Sequence, residues 1–251
     1  PFERRDARMK RPVCAIVGAG EGLGQALSAR FAAQAFDLAL LSRTEAGSAA
    51  AVRSAKTADK DADARFYPVD VTRPETLETS LSKVRREMGE IEVLIYNVRG
   101  AFTSGEPLEM SYQDLSDVFQ TEVIGAFAAA KSVLPQMISR SGGAVFFSSA
   151  TAAFRGSATY PLYAIGKFGL RALSQSLAKA YAHRGVHIAH FRLDCDLDVP
   201  VMHDMYGDAP GRSGLASPDD VAETYWLTYR QPKGAWSNEV EIRPCTENWT
   251  F

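Results

Sequence analysis

The strongest constraint on this chain is an alternation. Short apolar runs, VCAIV (13–17), DLALLS (37–42), RFYPVD (65–70), IEVLIY (91–96), GAVFFS (143–148), VHIAHFRL (186–193) and EVEIR (239–243), alternate with longer segments. Those segments, at about 22–35, 45–57, 74–88, 111–138, 160–183 and 218–229, carry apolar residues at helical spacing. Apolar runs without polar alternation suit strands covered on both faces. A helix between consecutive strands returns the chain so that they can lie parallel. The pattern predicts an α/β fold: a doubly wound sheet of about seven mostly parallel strands with helices on both sides.

With 251 residues and 46% hydrophobic side chains, the chain has material for one large core. A single domain is expected over residues 12–251. The stretch 194–217 is rich in Gly, Pro and Asp and lacks a clear period, so it reads as a long loop over a site. The opening PFERRDARMK has no apolar core, so it is not a secretory signal; its four basic residues leave organelle targeting open. Met9 offers an internal start, and residues 1–11 are expected to be a tail. Basic and acidic side chains number 28 and 30, giving a net charge of −2 that points to neither nucleic acid nor an anionic membrane as partner. Cys14, Cys195 and Cys245 are odd in number, widely spaced and form no CxxC pair. Neither a disulfide framework nor a metal site is indicated, and a cytoplasmic setting fits best.

After the first run comes GAGEGLG (18–24), opening a helix rich in Ala and Leu. A strand feeding a glycine-rich turn into a helix N-terminus presents unpaired N–H groups and the positive end of the helix dipole, where a diphosphate can sit. A purely structural turn can also need such glycines; their place between strand and helix favours dinucleotide binding by a Rossmann-type sheet. The second run ends in LLSRTEAG. An acid at that point would bind the adenosine ribose 2′-hydroxyl of NAD, whereas arginine attracts the 2′-phosphate of NADP. Ser42 and Arg43 stand there, so NADP(H) is favoured over NAD(H).

In YAIGK (163–167), Tyr163 and Lys167 are four apart and share a helix face. A phenol of pKa near 10 is a poor acid–base group at neutral pH, but a neighbouring ammonium favours its phenolate. Such a pair can pass a proton to a carbonyl oxygen, or take one from an alcohol, while hydride moves to or from a nicotinamide. Tyr160, seven before Lys167, is the poorer candidate.

Together, the glycine spacing of Gly18, Gly22 and Gly24, Asn97 in YNVRG, and the Tyr163/Lys167 pair resemble the short-chain dehydrogenase/reductase family. The resemblance runs from about Pro12 to Phe251 and looks like an atypical branch in which segments similar to GVHIAH and a carboxy-terminal RP recur. It implies that Gly18, Gly20, Glu21, Gly22, Leu23 and Gly24 cradle the diphosphate. It implies also that Asp70 and Val71 meet adenine, that Asn97 and Val98 line the cofactor, and that Lys167 holds the nicotinamide ribose. Glu21 stands where many NADP-binding relatives carry a basic residue. The family's substrate-orienting serine lies thirteen before the tyrosine, where this chain has Ala150; Ser149 is favoured for the role, with Thr151 in reserve. The family's relay asparagine is replaced by Glu122, which can order a water or pair with Lys167, and which opposes phenolate formation. After the sixth strand, Asp194, Cys195 and Val199 replace a Pro-Gly and a threonine that contacts the nicotinamide.

The implied activity is NADP(H)-dependent oxidoreduction of a small-molecule carbonyl or alcohol. Tyr163 is the acid/base, Lys167 its activator and Ser149 the hydrogen-bond donor. The competing reading, resting on Glu122, Ala150 and Val199, is a dinucleotide-binding sensor or scaffold of the same fold. The helices over 115–134 and 164–180 form a dimer interface in this family, so a homodimer or homotetramer is expected. His187 and His190 lie on opposite faces of a strand and, like His183, read as structural. Tyr225, Trp226 and Tyr229 have helical spacing and are expected to pack on the sheet.

Overall fold

The computed structural model describes residues 11–207 and 214–246. Among these residues, seven strands form one sheet: β1 (Val13–Val17), β2 (Asp37–Ser42), β3 (Ala64–Pro68), β4 (Ile91–Tyr96), β5 (Ala144–Ala150), β6 (His187–Leu193) and β7 (Glu239–Ile242). Their order is β3-β2-β1-β4-β5-β6-β7. Every pairing is parallel rather than mostly so. The helices are α1 (Leu23–Ala32), α2 (Glu45–Ala58), α3 (Pro74–Glu87), α4 (Tyr112–Phe119), α5 (Gly125–Ser139), α6 (Pro161–Tyr181), α7 (Pro200–Tyr206) and α8 (Pro218–Tyr229). No helix among the described residues is long and apolar enough to cross a membrane.

Alternate residues of each strand point to opposite faces, so β1 feeds two cores at once. Val13, Ala15 and Val17 pack with α3, α5 and α6. Cys14 and Ile16 pack on the other face with α1, α2 and α8. There Phe31 meets the rings of Phe36 at 5.4 Å and Trp226 at 5.7 Å, both edge-on. Tyr225 stacks on Phe191 at 3.6 Å, so this aromatic group packs on the sheet as expected. Phe31 is wholly inaccessible, and cutting it to alanine would cost about 3–5 kcal/mol in lost transfer energy and cavity.

Capping chemistry sets several helix starts. The side chains of Thr44, Ser111 and Ser217 accept from the backbone N–H groups of Gly47, Asp114 and Asp220. Helix α1 has no side-chain cap, and its first-turn N–H groups face the glycine-rich turn.

Three expectations are corrected. The helix expected over 111–138 is interrupted by a π turn at Gln120–Ile124, because one extra residue is accommodated per turn there while the apolar pattern continues across it. Residues 208–213 of the expected loop lie outside the described residues, and the rest of 194–217 is not all loop. It contains α7, started by Pro200, and a bridge between Leu197 and Ala216. Strand β5 runs two residues beyond 148, because Ser149 and Ala150 pair with Arg192 and Leu193 of β6. Residues 1–10 of the expected tail lie outside the described residues; Arg11, its last residue, makes ion pairs with Asp37 (3.4 Å) and Asp59 (2.5 Å).

Candidate active site

Strand order reverses between β1 and β4, and a crevice opens beyond their carboxyl ends, as such sheets require. The glycine-rich turn forms one wall. Gly18 has φ +87°, and a Cβ there would stand 2.3 Å from the Asn97 carbonyl oxygen. Only glycine fits that conformation and that approach. Asn97 braces the turn in return, its Nδ2 donating to the Gly18 carbonyl at 3.1 Å. Gly22 has φ +79° and faces Val199, whose Cγ1 would lie 2.8 Å from an added Cβ. Gly24 is turned toward the Gly18 and Ala19 backbone instead of the cleft. It serves the packing of α1 against the turn.

The crevice has two neighbouring cavities that share Val98 and Arg99 in their walls. The larger, of about 610 Å³, is bordered by Gly18, Gly20, Ser42, Arg43, Asp70 and Val71. Arg43 is exposed at its lip. The Ser42 hydroxyl is held between Ser48 Oγ (2.7 Å) and the Thr44 carbonyl (2.8 Å). Asp70 Oδ1 accepts from Thr72 Oγ1 at 2.7 Å and from the Thr72 N–H at 3.0 Å. The Thr72 hydroxyl, more than any other neighbour, holds that carboxyl below its usual range, and Arg43 adds to the effect. The smaller cavity, of about 300 Å³, is bordered by Glu21, Gly22, Leu23, Ser149, Lys167 and Val199 among others.

Tyr163 and Lys167 lie one turn apart on α6, with Lys167 Nζ 5.5 Å from the Tyr163 ring centre. Tyr160 is elsewhere engaged: its ring stacks on Phe102 at 4.1 Å. Phe102 also meets Tyr163 edge-on at 5.0 Å. Burial pushes the Tyr163 phenol up; Lys167 pulls it down, Glu122 raises it and Arg99 lowers it, and the net direction is upward. Lys167 Nζ donates to Glu122 Oε2 at 2.8 Å, and their side chains are only 3% and 0% exposed. Glu122 therefore pairs with Lys167. Its other oxygen accepts from the Gly100 N–H at 2.6 Å.

The hydroxyls near position 150 are now distinguishable. Thr151 Oγ1 donates to Asp194, which is also paired with Arg243. Ser149 Oγ is buried and has no hydrogen-bond partner among the described residues. Ser148 is bonded to the Tyr225 hydroxyl at 2.8 Å on the far side of the strand. Sequence reasoning missed Phe102 and the rim residues Val201 and Met202 of α7. No spacing signal marks Phe102, and seven residues are too few for α7 to show a period.

The model of the family described as short chain dehydrogenase matches residues 12–193. The chain belongs to the short-chain dehydrogenase family. An uncharacterised oxidoreductase of Staphylococcus saprophyticus is 26% identical over 92% of this chain and 97% of its own. The crystal structure of a short-chain dehydrogenase from Rhodopseudomonas palustris superposes with a TM-score of 0.78 at 28% identity, covering 93% of this chain and 98% of that one. A metagenomic short-chain oxidoreductase in complex with NADP has the same fold, with a TM-score of 0.80 at 19% identity over 93% and 97% of the two chains. As a short-chain dehydrogenase, the chain is a nicotinamide-dependent oxidoreductase acting on alcohol or carbonyl groups.

Proposed function

We propose that this dehydrogenase uses NADP(H) to interconvert a carbonyl and an alcohol, with Tyr163 as acid/base, Lys167 beside it and Ser149 as the donor that orients the substrate oxygen. The observation that carries the reading is the buried Ser149 hydroxyl, unpartnered and bordering the same cavity as Lys167. A buried hydroxyl without a partner costs about 1–3 kcal/mol, which an incoming oxygen would recover. The crevice suits a dinucleotide: uncapped N–H groups begin α1, Gly18 and Gly22 leave no room for side chains, and Gly20 presents bare backbone with only the Gly47 carbonyl at 3.9 Å. Gly18, Gly20, Glu21, Gly22 and Leu23 would hold the diphosphate, Asp70, Val71 and Val98 the adenosine half, and Lys167 the nicotinamide ribose. Arg43 at the lip, with no acid at the end of β2, supports the 2′-phosphate form, as does the similar fold bound to NADP.

When bound, the nicotinamide supplies or accepts the hydride. In reduction the C=O π bond opens as the carbon gains hydride, and the oxygen takes its proton from Tyr163 Oη while Ser149 Oγ donates to it. Oxidation runs the same transfers backward.

A homodimer fits the same reading. Phe119, Ile124 and Phe127 of the α4–α5 unit and Ile165 and Phe168 of α6 are 38–48% exposed, an apolar surface on the helices expected to pair. Residues 12–251 act as one domain in a cytoplasmic setting, with Val199, Val201 and Met202 shaping the substrate pocket. The test is NADPH oxidation against a panel of aldehydes and ketones. Turnover of none, with NADPH still bound, would favour a sensor or scaffold.

A further inference from the structure

The site contains an ion pair that its chemistry does not require. Glu122 sits in the π turn, wholly inaccessible, with Oε2 at 2.8 Å from Lys167 Nζ and Oε1 fixed by the Gly100 N–H at 2.6 Å. Two glycines leave it space. A Cβ at Gly166 would lie 2.9 Å from Glu122 Cγ, and one at Gly100 would lie 3.3 Å from Oε1. The carboxylate is thus built into the wall between α6 and the segment after β4.

Charge arithmetic gives the pair a consequence. A lone ammonium 5.5 Å from the Tyr163 ring would act on the phenol as a net positive charge. An ammonium already paired at 2.8 Å, both partners removed from solvent, acts as a dipole of no net charge. Among the described residues, the charged groups that act on Tyr163 are Lys167 from its own helix, Glu122 from the π turn, Arg99 from the segment after β4 and Asp196 from the segment after β6. Two are positive and two negative, so each cation near the phenol is opposed by an anion. A phenol ready to give up its proton serves reduction; a phenolate is needed for oxidation.

Resting on the function proposed above, we propose that Glu122 is a positioning residue that commits the Lys167 ammonium to an internal ion pair, setting this site for carbonyl reduction at neutral pH. Alcohol oxidation by the same site is confined to alkaline conditions. The raised position of the Tyr163 phenol agrees in direction.

The test reads Tyr163 itself, in the cofactor-free full chain, as the phenolate absorbance of wild type minus that of Tyr163→Phe across pH. Wild type is expected to ionise above about pH 10, the ordinary tyrosine value. Glu122→Gln, which keeps the shape but removes the negative charge, is expected to lower the midpoint by about one unit or more. The double variant Glu122→Gln/Lys167→Met replaces the pair by neutral side chains of similar length and is expected to stay close to wild type. It also decides the matter if the single variant does not fold. The alkaline limb of alcohol oxidation should move with the single-variant midpoint. A wild-type midpoint near neutrality, a folded Glu122→Gln with an unmoved midpoint, or a double variant displaced by more than about one unit overturns the proposal. Because the titration needs no turnover, loss of activity in Tyr163→Phe with an unmoved Glu122→Gln midpoint would retain the oxidoreductase and remove only the role of Glu122.

Discussion

Lys167 and Glu122, 45 residues apart in sequence, meet at 2.8 Å in a part of the molecule almost closed to solvent. Breaking a buried ion pair by removing one partner leaves an uncompensated charge and costs roughly 3–5 kcal/mol. Glu122→Ala should therefore lower stability by about that amount in urea unfolding, and Glu122→Gln by clearly less. Equal midpoints for wild type and Glu122→Ala would show that the pair is not closed to water as described.

The glycine turn separates folding from binding. Gly18→Ala would force a φ of +87° on an L side chain and place its Cβ 2.3 Å from the Asn97 carbonyl. A loss of stability of about 1–3 kcal/mol is expected. Gly20→Ala meets only the Gly47 carbonyl at 3.9 Å, so stability should change by less than about 1 kcal/mol. Its affinity for NADPH should nevertheless fall, because the methyl group enters the crevice. Denaturant unfolding and fluorescence titration of the two variants check this contrast.

On the proposed function, Arg43 is the residue expected to set the cofactor preference. A charge-assisted bond to a phosphate is worth about 1.5–3 kcal/mol, or roughly 10- to 100-fold in affinity. Arg43→Ala should weaken NADPH binding by that factor and leave NADH binding nearly unchanged. Parallel losses for both cofactors would remove Arg43 from the 2′-phosphate.

These residues differ in how legible they were. The alternation of runs, the glycine turn, Arg43 and the Tyr163/Lys167 pair are local features, and backbone geometry ties local spacing directly to position. For Glu122 the resemblance left two roles open, ordering a water or pairing with Lys167; the contact spans 45 residues of sequence, so only the structure chooses the pair. The choice between Ser149 and Thr151 was likewise closed to spacing alone. Asp194, 43 residues further on, engages Thr151 and leaves the Ser149 hydroxyl without a partner among the described residues. Helix α7 escaped because a seven-residue helix in a Gly/Pro-rich stretch shows less than two full turns of pattern.

Burial of His190 gives the fold an acid-sensitive element. Its ring is inaccessible, with Nδ1 at 3.0 Å from Glu239, and burial holds its pKa down to about 4. The unfolded chain takes up this proton below about pH 6.5, whereas the folded chain resists it until about pH 4. Stability is therefore full above that window and falls as pH drops through it, by about 3 kcal/mol in all. His190→Asn should remove this part of the pH dependence, measured as the difference in unfolding free energy from wild type between neutral and mildly acid pH. An identical slope in the variant would assign the acid sensitivity to other groups.

The most direct test of the account is kcat/KM for NADPH-dependent reduction by wild type and Tyr163→Phe, with NADPH affinity measured on both. Loss of the proton donor with its ring retained should reduce kcat/KM by about 100-fold or more while NADPH binding is unchanged. Equal rates for the two proteins would contradict it.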